Sequence, residues 1–268
     1  MIVLIDAGNT RIKLGWLDPA TGLRESLALA LPHADIHGLS SWLGQLAAPA
    51  TAAIGVNVAS SAVAHSLDAL FQDNGIGIQW ITSRGLAAGI RNAYDVAAQL
   101  GADRWVSMIG LAQHTDQAAI LASFGTATTI DTLGPLAASR AGSTRLFHGG
   151  LIFPGPALMR SSLAAGTANL PQATGPAAAY PTHTHQAIVS GIAAAQAGAL
   201  IRQWREGLEQ FGQPPLVFST GGGWNLIEDE TQRLFARAQA DLHLPRKTIQ
   251  WLAAPVLDGL ARLALDPD

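Results

Sequence analysis

Two short turns in this sequence carry residue types that can bind phosphate. Ala7-Gly8-Asn9-Thr10 follows an apolar run that ends in Asp6, and Gly125-Thr126-Ala127-Thr128 follows a similar run in mid-chain. Such turns expose several backbone N–H groups, which together with hydroxyl side chains can hold phosphate oxygens. Gly and Asn also tolerate the positive φ of tight hairpin turns, so an ordinary hairpin could use them too. The occurrence of two such loops favours phosphate binding.

Asp6 and Lys13 flank the first turn and extend its chemistry. A carboxylate such as that of Asp6 suits Mg²⁺, either directly or through water. Lys13 lies on the returning strand, where its ammonium could reach the same phosphates. The sequence contains no G-x-x-x-x-G-K-[ST] motif and no G-x-G-x-x-G motif after a strand. Neither a P-loop nor a Rossmann nucleotide site is therefore indicated.

A further group of candidates allows both a structural and a functional interpretation. Asp103 is either an acid favoured by the dipole of a helix start or a general base for a substrate hydroxyl. Arg104 is either a solvated charge or an anchor for a substrate carboxylate. Gly221 and Gly222 follow a strand, where they either form a strand-to-helix turn or let an adenosine approach bare backbone.

The elements that must position these residues follow an α/β pattern. Apolar runs, helical spacing and turn residues predict strands and helices in this order: a hairpin at 2–6 and 11–17, strands at 52–59 and 76–81 around a helix ending at Gly75, a helix starting near Ala102 or Asp103, a second hairpin at 118–133, a helix at 186–205, a strand at 215–220, and helices near 224–237 and 253–265. Because the hairpin pattern occurs twice, we predict two duplicated α/β domains, at 1–116 and 117–268.

Composition excludes several other classes of protein. Of the 268 residues, 49% are hydrophobic, which supplies ample core for one large or two medium domains. The formal net charge is -3 and the basic residues form no run, so we expect no direct nucleic-acid binding. The chain has no cysteine, which excludes disulfides and Cys nucleophiles. Asp6 interrupts the apolar N-terminus and prolines interrupt the uncharged segment 161–201, so we expect a cytoplasmic protein without a signal peptide or membrane span.

Six stretches spanning nearly the whole chain form one ordered set: DAGNTRIKLG (6–15), NAYDVAAQLGADR (92–104), GTATTID (125–131), GGLIFPG (149–155), LAAGTANLP (163–171) and STGGG (219–223). In this order they resemble the type III pantothenate kinase family. The resemblance implies an α/β fold of two duplicated actin-like (ribonuclease H-like) domains, with the active site in the cleft between them. It also implies ATP-dependent phosphorylation of pantothenate, the first step of coenzyme A biosynthesis.

The resemblance also implies roles for individual residues. Asp103 would be the catalytic base, and Asp6 would lie near the phosphates and hold Mg²⁺, either directly or through water. The residues expected to bind ATP are Asp6, Gly8, Asn9, Thr10, Lys13, Gly125, Thr126, Ala127 and Thr128 at the phosphates, and Gly221 and Gly222 at the adenosine. The residues expected to bind pantothenate are Tyr94, Gly101, Ala102, Asp103, Arg104 and Thr167. Family members are similar in forming homodimers and in needing a monovalent cation, K⁺ or NH₄⁺.

Two positions depart from the family pattern: Val96-Ala97 stands where a proline usually follows the tyrosine, and the other departure concerns the cation. The second phosphate loop of the family usually begins with Asp-x-Gly-Thr-Ala, and that Asp is associated with the monovalent cation. Ser123 stands there instead. A hydroxyl can ligate K⁺ but supplies no charge, so we expect weaker activation by K⁺.

Two other functions remain open at this stage. One is a different kinase or phosphatase of the actin-like fold, of the sugar or acetate kinase type. The other is a non-catalytic transcriptional accessory protein. Arg104 beside Asp103 favours a substrate that carries a carboxylate.

Overall fold

The computed structural model describes residues 1–139 and 142–266, which contain strands and helices in both halves of the chain. The strands are β1 (Ile2–Ala7), β2 (Arg11–Leu17), β3 (Leu29–Pro32), β4 (Ala52–Asn57), β5 (Ile78–Trp80), β6 (Leu86–Ala87), β7 (Ile90–Asn92), β8 (Ala119–Phe124), β9 (Ala127–Leu133), β10 (Ala137–Ser139), β11 (Gly142–Pro154), β12 (Leu216–Thr220) and β13 (Gln250–Trp251). The α-helices are α1 (Leu39–Gly44), α2 (Ser61–Asp73), α3 (Ala102–Leu111), α4 (Pro156–Gly166), α5 (Thr184–Phe211), α6 (Glu228–Asp241) and α7 (Pro255–Leu265).

The chain divides into two compact units. The first consists of Met1–Asp116, Ala137–Phe147 and Ala254–Asp268, and the second of Gln117–Leu136 and His148–Ala253. The predicted domains, 1–116 and 117–268, differ from these units in two segments. Residues of β11 pair with β7, and α7 packs on α3, so both segments lie with the first unit. The limits of the duplicated domains themselves stay a prediction.

The first unit is built on a five-stranded sheet in the order β3-β2-β1-β4-β5. Strands β1 and β2 form the predicted hairpin, while β4 runs parallel to both β1 and β5. Val3, Leu4 and Ile5 are fully buried, as expected for a strand near the middle of a sheet. Helix α2 connects β4 to β5 and buries Val63, Leu67 and Phe71 along one face, so the predicted βαβ unit is confirmed.

Helix α3 is held in place by α7. All residues of α3 from Arg104 to Leu111 are buried. The two helices approach so closely that a Cβ atom at Gly110 would overlap the carbonyl of Pro255, and one at Gly259 would overlap the carbonyl of Val106. Because glycine is needed on both sides of this crossing, the position of α3, and of its first turn, is tightly fixed.

The second unit repeats part of this arrangement. Its strands follow the order β13-β12-β8-β9-β11. Strands β8 and β9 form the second predicted hairpin, and β12 runs parallel to β8 as β4 does to β1. The helix expected at 186–205 is longer, because His183 caps its start and Gly212, with a φ of 66°, ends it. Within the described residues, no helix is both long enough and apolar enough to span a membrane.

Candidate active site

Asp6 lies at the turn end of the first hairpin, next to the predicted phosphate loop. It occupies the second-last position of β1 and is paired in register with Lys13 on β2. In the turn, the N–H of Gly8 donates to the carbonyl of Arg11 at 3.0 Å, and Nε2 of His33 lies 2.9 Å from the carbonyl oxygen of Gly8. The contact with His33 was not foreseen, since no sequence signal links the two positions. The turn is therefore held from both sides.

The exposed residues of this turn are Asn9, Thr10 and Arg11. Neither Gly8 nor Asn9 has a positive φ, so the expected use of that conformation is wrong. Glycine is favoured at position 8 for a different reason. A Cβ atom there would lie 3.3 Å from the carbonyl oxygen of Arg11, which is tighter than ordinary contact.

The carboxylate of Asp6 is costly to ionise in its surroundings. The side chain is buried, and burial raises its pKa from 3.8 to about 6. Lys13 opposes this shift and the negative charge of Asp103 adds to it. The structure thus brings the two predicted acids within electrostatic reach of each other. A bound cation would offset the cost, because an opposite charge favours the ionised form.

Asp6 fits a Mg²⁺ ion that also takes ligands from ATP. Within residues 1–139 and 142–266, no group of three or more His, Asp or Glu side chains is arranged to hold a metal. Mg²⁺ commonly uses one or two carboxylates, with substrate phosphates and waters completing its shell. A single buried carboxylate beside a phosphate loop is compatible with that mode of binding.

Asp103 occupies the first turn of α3, where the sequence placed it. Gly101 is the N-cap of the helix, and a Cβ atom there would lie 2.8 Å from Oδ1 of Asp103. Burial raises the pKa of Asp103. The hydrogen bond donated by the backbone N–H of Arg104 and the positive charge of the Arg104 side chain both oppose this shift. A carboxylate with a raised pKa is a stronger base than a solvated one, which suits proton abstraction.

Arg104 is a buried cation held by aromatic rings, so the interpretation as a solvated charge is wrong. One guanidinium nitrogen donates to the Oη of Tyr94 at 2.8 Å. The guanidinium carbon lies 5.8 Å from the ring centroid of Tyr94 and 6.0 Å from that of Phe147, and the two rings stack. Asn92 positions Tyr94 in turn: the backbone N–H of Tyr94 donates to Oδ1 of Asn92 at 3.0 Å. Sequence reasoning missed Phe147 and Asn92.

A cavity of about 300 Å³ borders the first residue of α3. Its lining combines apolar side chains with hydroxyl and amide groups: Asn57, Ala64, Trp80, Ile81, Thr82, Ser83, Ala98, Leu100 and Ala102. Ala102 is the only predicted pantothenate residue in that lining.

In the second hairpin, only part of the predicted phosphate loop faces outward. Gly125, Thr126 and Ala127 are exposed, and the N–H of Gly125 donates to the carbonyl of Ala127 at 3.1 Å. Thr128 is fully buried, and its hydroxyl donates to Oε1 of Gln196 at 2.7 Å. The expectation that the Thr128 hydroxyl faces phosphate is therefore wrong, because strand β9 turns that side chain inward.

Ser123 lies two residues before the turn, paired in register with Thr129 on β9 and with Thr220 on β12. Its side chain is half-buried. The position expected to hold a monovalent cation thus contributes a neutral oxygen and no charge.

The three glycines after β12 have different roles. Gly221 has a φ of 95°, and a Cβ atom there would lie 2.6 Å from the carbonyl oxygen of Phe124. The N–H of Gly223 donates to that same oxygen at 2.8 Å. A Cβ atom at Gly223 would lie 3.0 Å from it, so packing of the turn on β8 favours glycine at both positions. Gly222 is exposed and has no heavy atom within 4 Å of its Cβ position, so it alone leaves open backbone of the kind predicted for an adenosine contact.

Thr167 lies in the second unit, directly after α4. It is exposed, and its hydroxyl donates to the carbonyl of Leu163 at 2.8 Å and lies 3.3 Å from the N–H of Leu170. The predicted residues from Asp6 to Arg104 all belong to the first unit, whereas Ser123, the second loop, Thr167 and the triglycine turn belong to the second.

Comparison with known proteins gives a consistent result. The family model for type III pantothenate kinase matches residues 2–206. A type III pantothenate kinase from Bordetella petrii is 51% identical, with 100% of this chain and 98% of the relative covered. One from Aromatoleum aromaticum is 43% identical over 77% of this chain and 80% of the relative. A solved structure described as a 2-dehydro-3-deoxygalactonokinase protein from Sinorhizobium meliloti is 15% identical, with 100% of both chains covered and a TM-score of 0.51, a likeness of fold alone.

Proposed function

This chain belongs to the type III pantothenate kinase family, and from that premise we propose how its residues carry out the reaction. The protein phosphorylates pantothenate with ATP, the first step of coenzyme A biosynthesis. Its duplicated α/β fold is the actin-like fold expected from the sequence. The observation that best supports the residue assignments is the buried guanidinium of Arg104, which follows Asp103 in the first turn of α3 and donates to the Oη of Tyr94, so that three of the residues expected to bind pantothenate lie together.

Asp103 is the general base in this proposal. Its carboxylate accepts the proton of the pantothenate hydroxyl as that oxygen attacks the γ-phosphorus of ATP, and ADP leaves. The raised pKa of Asp103 supports this role, because a base works best when its pKa approaches the working pH. The close crossing of α3 and α7 keeps the first turn of α3 fixed, which favours a reactive geometry.

The phosphates of ATP are bound by the two hairpin turns. Gly8 to Thr10 and Gly125 to Ala127 contribute backbone N–H groups and hydroxyls, and Lys13 contributes a positive charge. Asp6 would hold Mg²⁺, directly or through water. When bound, Mg²⁺ neutralises part of the charge that develops on the transferred phosphoryl group. Gly222, with its open backbone, lies beside the adenosine, while Gly221 shapes the turn.

Pantothenate is anchored through its carboxylate by Arg104. The guanidinium carbon lies within 6.0 Å of the ring centroids of Tyr94 and Phe147, and the Tyr94 hydroxyl accepts one of its N–H groups, so the position of the guanidinium is preorganised. Gly101, Ala102 and Thr167 complete the proposed set of contacts. A substrate carboxylate explains why an arginine rather than a hydroxyl stands beside the base.

Ser123 makes the dependence on a monovalent cation weak in this proposal, since a hydroxyl contributes no charge to hold K⁺ or NH₄⁺. We also propose a homodimer that acts in the cytoplasm and binds neither nucleic acid nor membrane. Family membership supports the dimer, and sedimentation velocity of the purified protein tests it.

An ADP-release assay with different acceptors tests the function. We expect ATP turnover that depends on pantothenate and not on hexoses or acetate. Turnover with a hexose or acetate in place of pantothenate would instead favour another kinase of this fold. Absence of turnover with every acceptor, in protein that binds ATP, would favour a non-catalytic role.

A further inference from the structure

A fully buried glutamine lies behind the second phosphate loop. Gln196 belongs to α5 and is 0% exposed. Its Oε1 accepts the hydroxyl hydrogen bond of Thr128 at 2.7 Å, and its Nε2 donates to the carbonyl of Pro154 at 2.9 Å. Nε2 also lies 3.3 Å from the sulfur of Met159. One amide therefore links the last residue of the loop to the end of β11.

The end of β11 supports the same loop from its other side. The N–H of Gly155 donates to the carbonyl of Thr126 at 2.9 Å. A Cβ atom at Gly155 would overlap the carbonyl of Gly125, so the two backbones touch. The path from Thr128 through Gln196 and Pro154 to Gly155 thus returns to the loop at Thr126. Hydrogen bonds therefore hold the middle of the exposed turn, at Thr126, and the residue that follows the turn, Thr128.

We propose that Gln196 is a positioning residue for ATP, which acts by holding the Gly125–Thr128 loop in the geometry that binds phosphate. The inference rests on the proposed role of this loop in binding ATP. Gln196 itself is buried and does not touch substrate; it acts through Thr128 and through the Pro154 carbonyl.

The chemistry of the site favours an amide over related side chains. Thr128 provides a hydroxyl donor and Pro154 a carbonyl acceptor, so the residue between them must accept on one side and donate on the other. Glutamine does both. A glutamate would place an acceptor against the Pro154 carbonyl, and a methionine would keep the length while making neither hydrogen bond.

The chain contains a matched control for this contact. Gln203 lies seven residues later on the same helix, and its Nε2 donates to Oγ1 of Thr132 at 3.1 Å. Thr132 lies four residues beyond Thr128 on the same strand β9. The two pairs join the same elements with the same residue types, but the second pair lies away from the turn. Gln203 is half-buried whereas Gln196 is fully buried, so this pair controls for loss of contact between α5 and β9 and not for the depth of burial.

Steady-state kinetics with the full-length protein test the proposal. For Gln196→Met we expect the KM for ATP to rise roughly tenfold, the factor that corresponds to about one buried hydrogen bond. The KM for pantothenate should stay unchanged, and Gln203→Met should leave both constants unchanged. Thr128→Val, which keeps the shape and removes the hydroxyl, should reproduce the effect of Gln196→Met. Thr128→Ser, which restores the hydroxyl, should return the KM for ATP to near its original value.

A double variant that carries both Thr128→Val and Gln196→Met shows whether the two residues act through each other or independently. If Gln196 acts through Thr128, the KM for ATP of the Thr128→Val and Gln196→Met double variant should not exceed that of the single variant with the higher KM. Equal increases in the KM for ATP in Gln196→Met and Gln203→Met would overturn the proposal, since they would indicate a merely structural role.

A direct loop variant distinguishes failure of this inference from failure of the loop assignment. If Thr126→Ala raises the KM for ATP and both Gln196→Met and Thr128→Val leave it unchanged, the positioning role is refuted and the loop assignment stands. If all three variants leave it unchanged, the positioning role is again refuted, and the Thr126 hydroxyl contributes nothing to ATP affinity.

Discussion

Replacement of Asp6 by asparagine should stabilise the protein at neutral pH. Asp6 is only 9% exposed, and burial raises its pKa from 3.8 to about 6. A carboxyl whose pKa is raised in the folded state binds its proton more tightly there than in the unfolded chain. The free energy of unfolding therefore falls as the pH rises from about 4 to about 6, and it stays lower above that range. Asparagine removes this penalty because it carries no charge.

The magnitude follows from the size of the pKa shift. The difference between about 6 and 3.8 is about 2 units, and each unit corresponds to about 1.4 kcal/mol, so the gain at neutral pH is about 3 kcal/mol. For a chain of this size, that free energy corresponds to an increase in Tm of roughly 6 to 12 °C. The same substitution should abolish turnover, since Asp6 is the proposed Mg²⁺ ligand; stability and activity conflict at this position.

The assay measures the free energy of unfolding of the wild type and of Asp6→Asn at several pH values, without nucleotide or Mg²⁺. The two unfolding free energies should nearly coincide at about pH 4 and diverge up to about pH 6, where the ionised carboxylate dominates. Asp18→Asn is a control of opposite sign, because hydrogen bonds from the N–H of Ala20 and the hydroxyl of Thr21 lower the pKa of Asp18. A gap between wild type and Asp6→Asn that does not change with pH, or a less stable variant at neutral pH, would refute the reasoning.

Three further predictions concern substrates and the cation. Arg104→Lys should raise the KM for pantothenate by about tenfold and leave that for ATP unchanged, because an ammonium cannot reproduce the planar fork of N–H donors of a guanidinium; equal changes in both would argue against a carboxylate anchor. Turnover without K⁺ should remain within roughly threefold of turnover with it, and Ser123→Asp should increase the activation by supplying charge; collapse of wild-type turnover without K⁺ would contradict this. Gly222→Ala should raise the KM for ATP without loss of stability, whereas Gly221→Ala should destabilise the fold, since its φ is 95° and its Cβ would meet Phe124; thermal unfolding distinguishes the two.

Local patterns were sufficient to predict the parts of the fold that depend on neighbouring residues. Both hairpins, the βαβ unit around α2 and the start of α3 agree with the sequence prediction. Each depends on alternation, helical spacing or a turn residue within one short window. The same patterns could not assign 137–147 and 254–268 to the first unit. That assignment depends on pairing and helix packing between residues far apart in the chain.

Side-chain direction was the main error within the candidate site. The side chain of Thr128 was predicted to face phosphate. It lies on the same face of β9 as that of Ile130, two residues later, and both are fully buried. The period of two along the strand carried this information. A similar signal was available for Gln196, which lies between the buried Ala193 and Leu200 on the apolar side of α5. A polar residue at such a position indicates a buried hydrogen bond. Phe147 and His33 gave no comparable signal.

Comparison of Asp103→Asn with wild type in ADP release, measured with and without pantothenate, tests the central claim most directly. We predict that wild-type ADP release depends on pantothenate, and that the variant loses roughly 100-fold or more of kcat, the range for loss of a general base. The variant should bind ATP normally, and Asp73→Asn, which changes an exposed acid at the end of α2, should behave as wild type. Near-normal pantothenate-dependent turnover by Asp103→Asn would contradict the account.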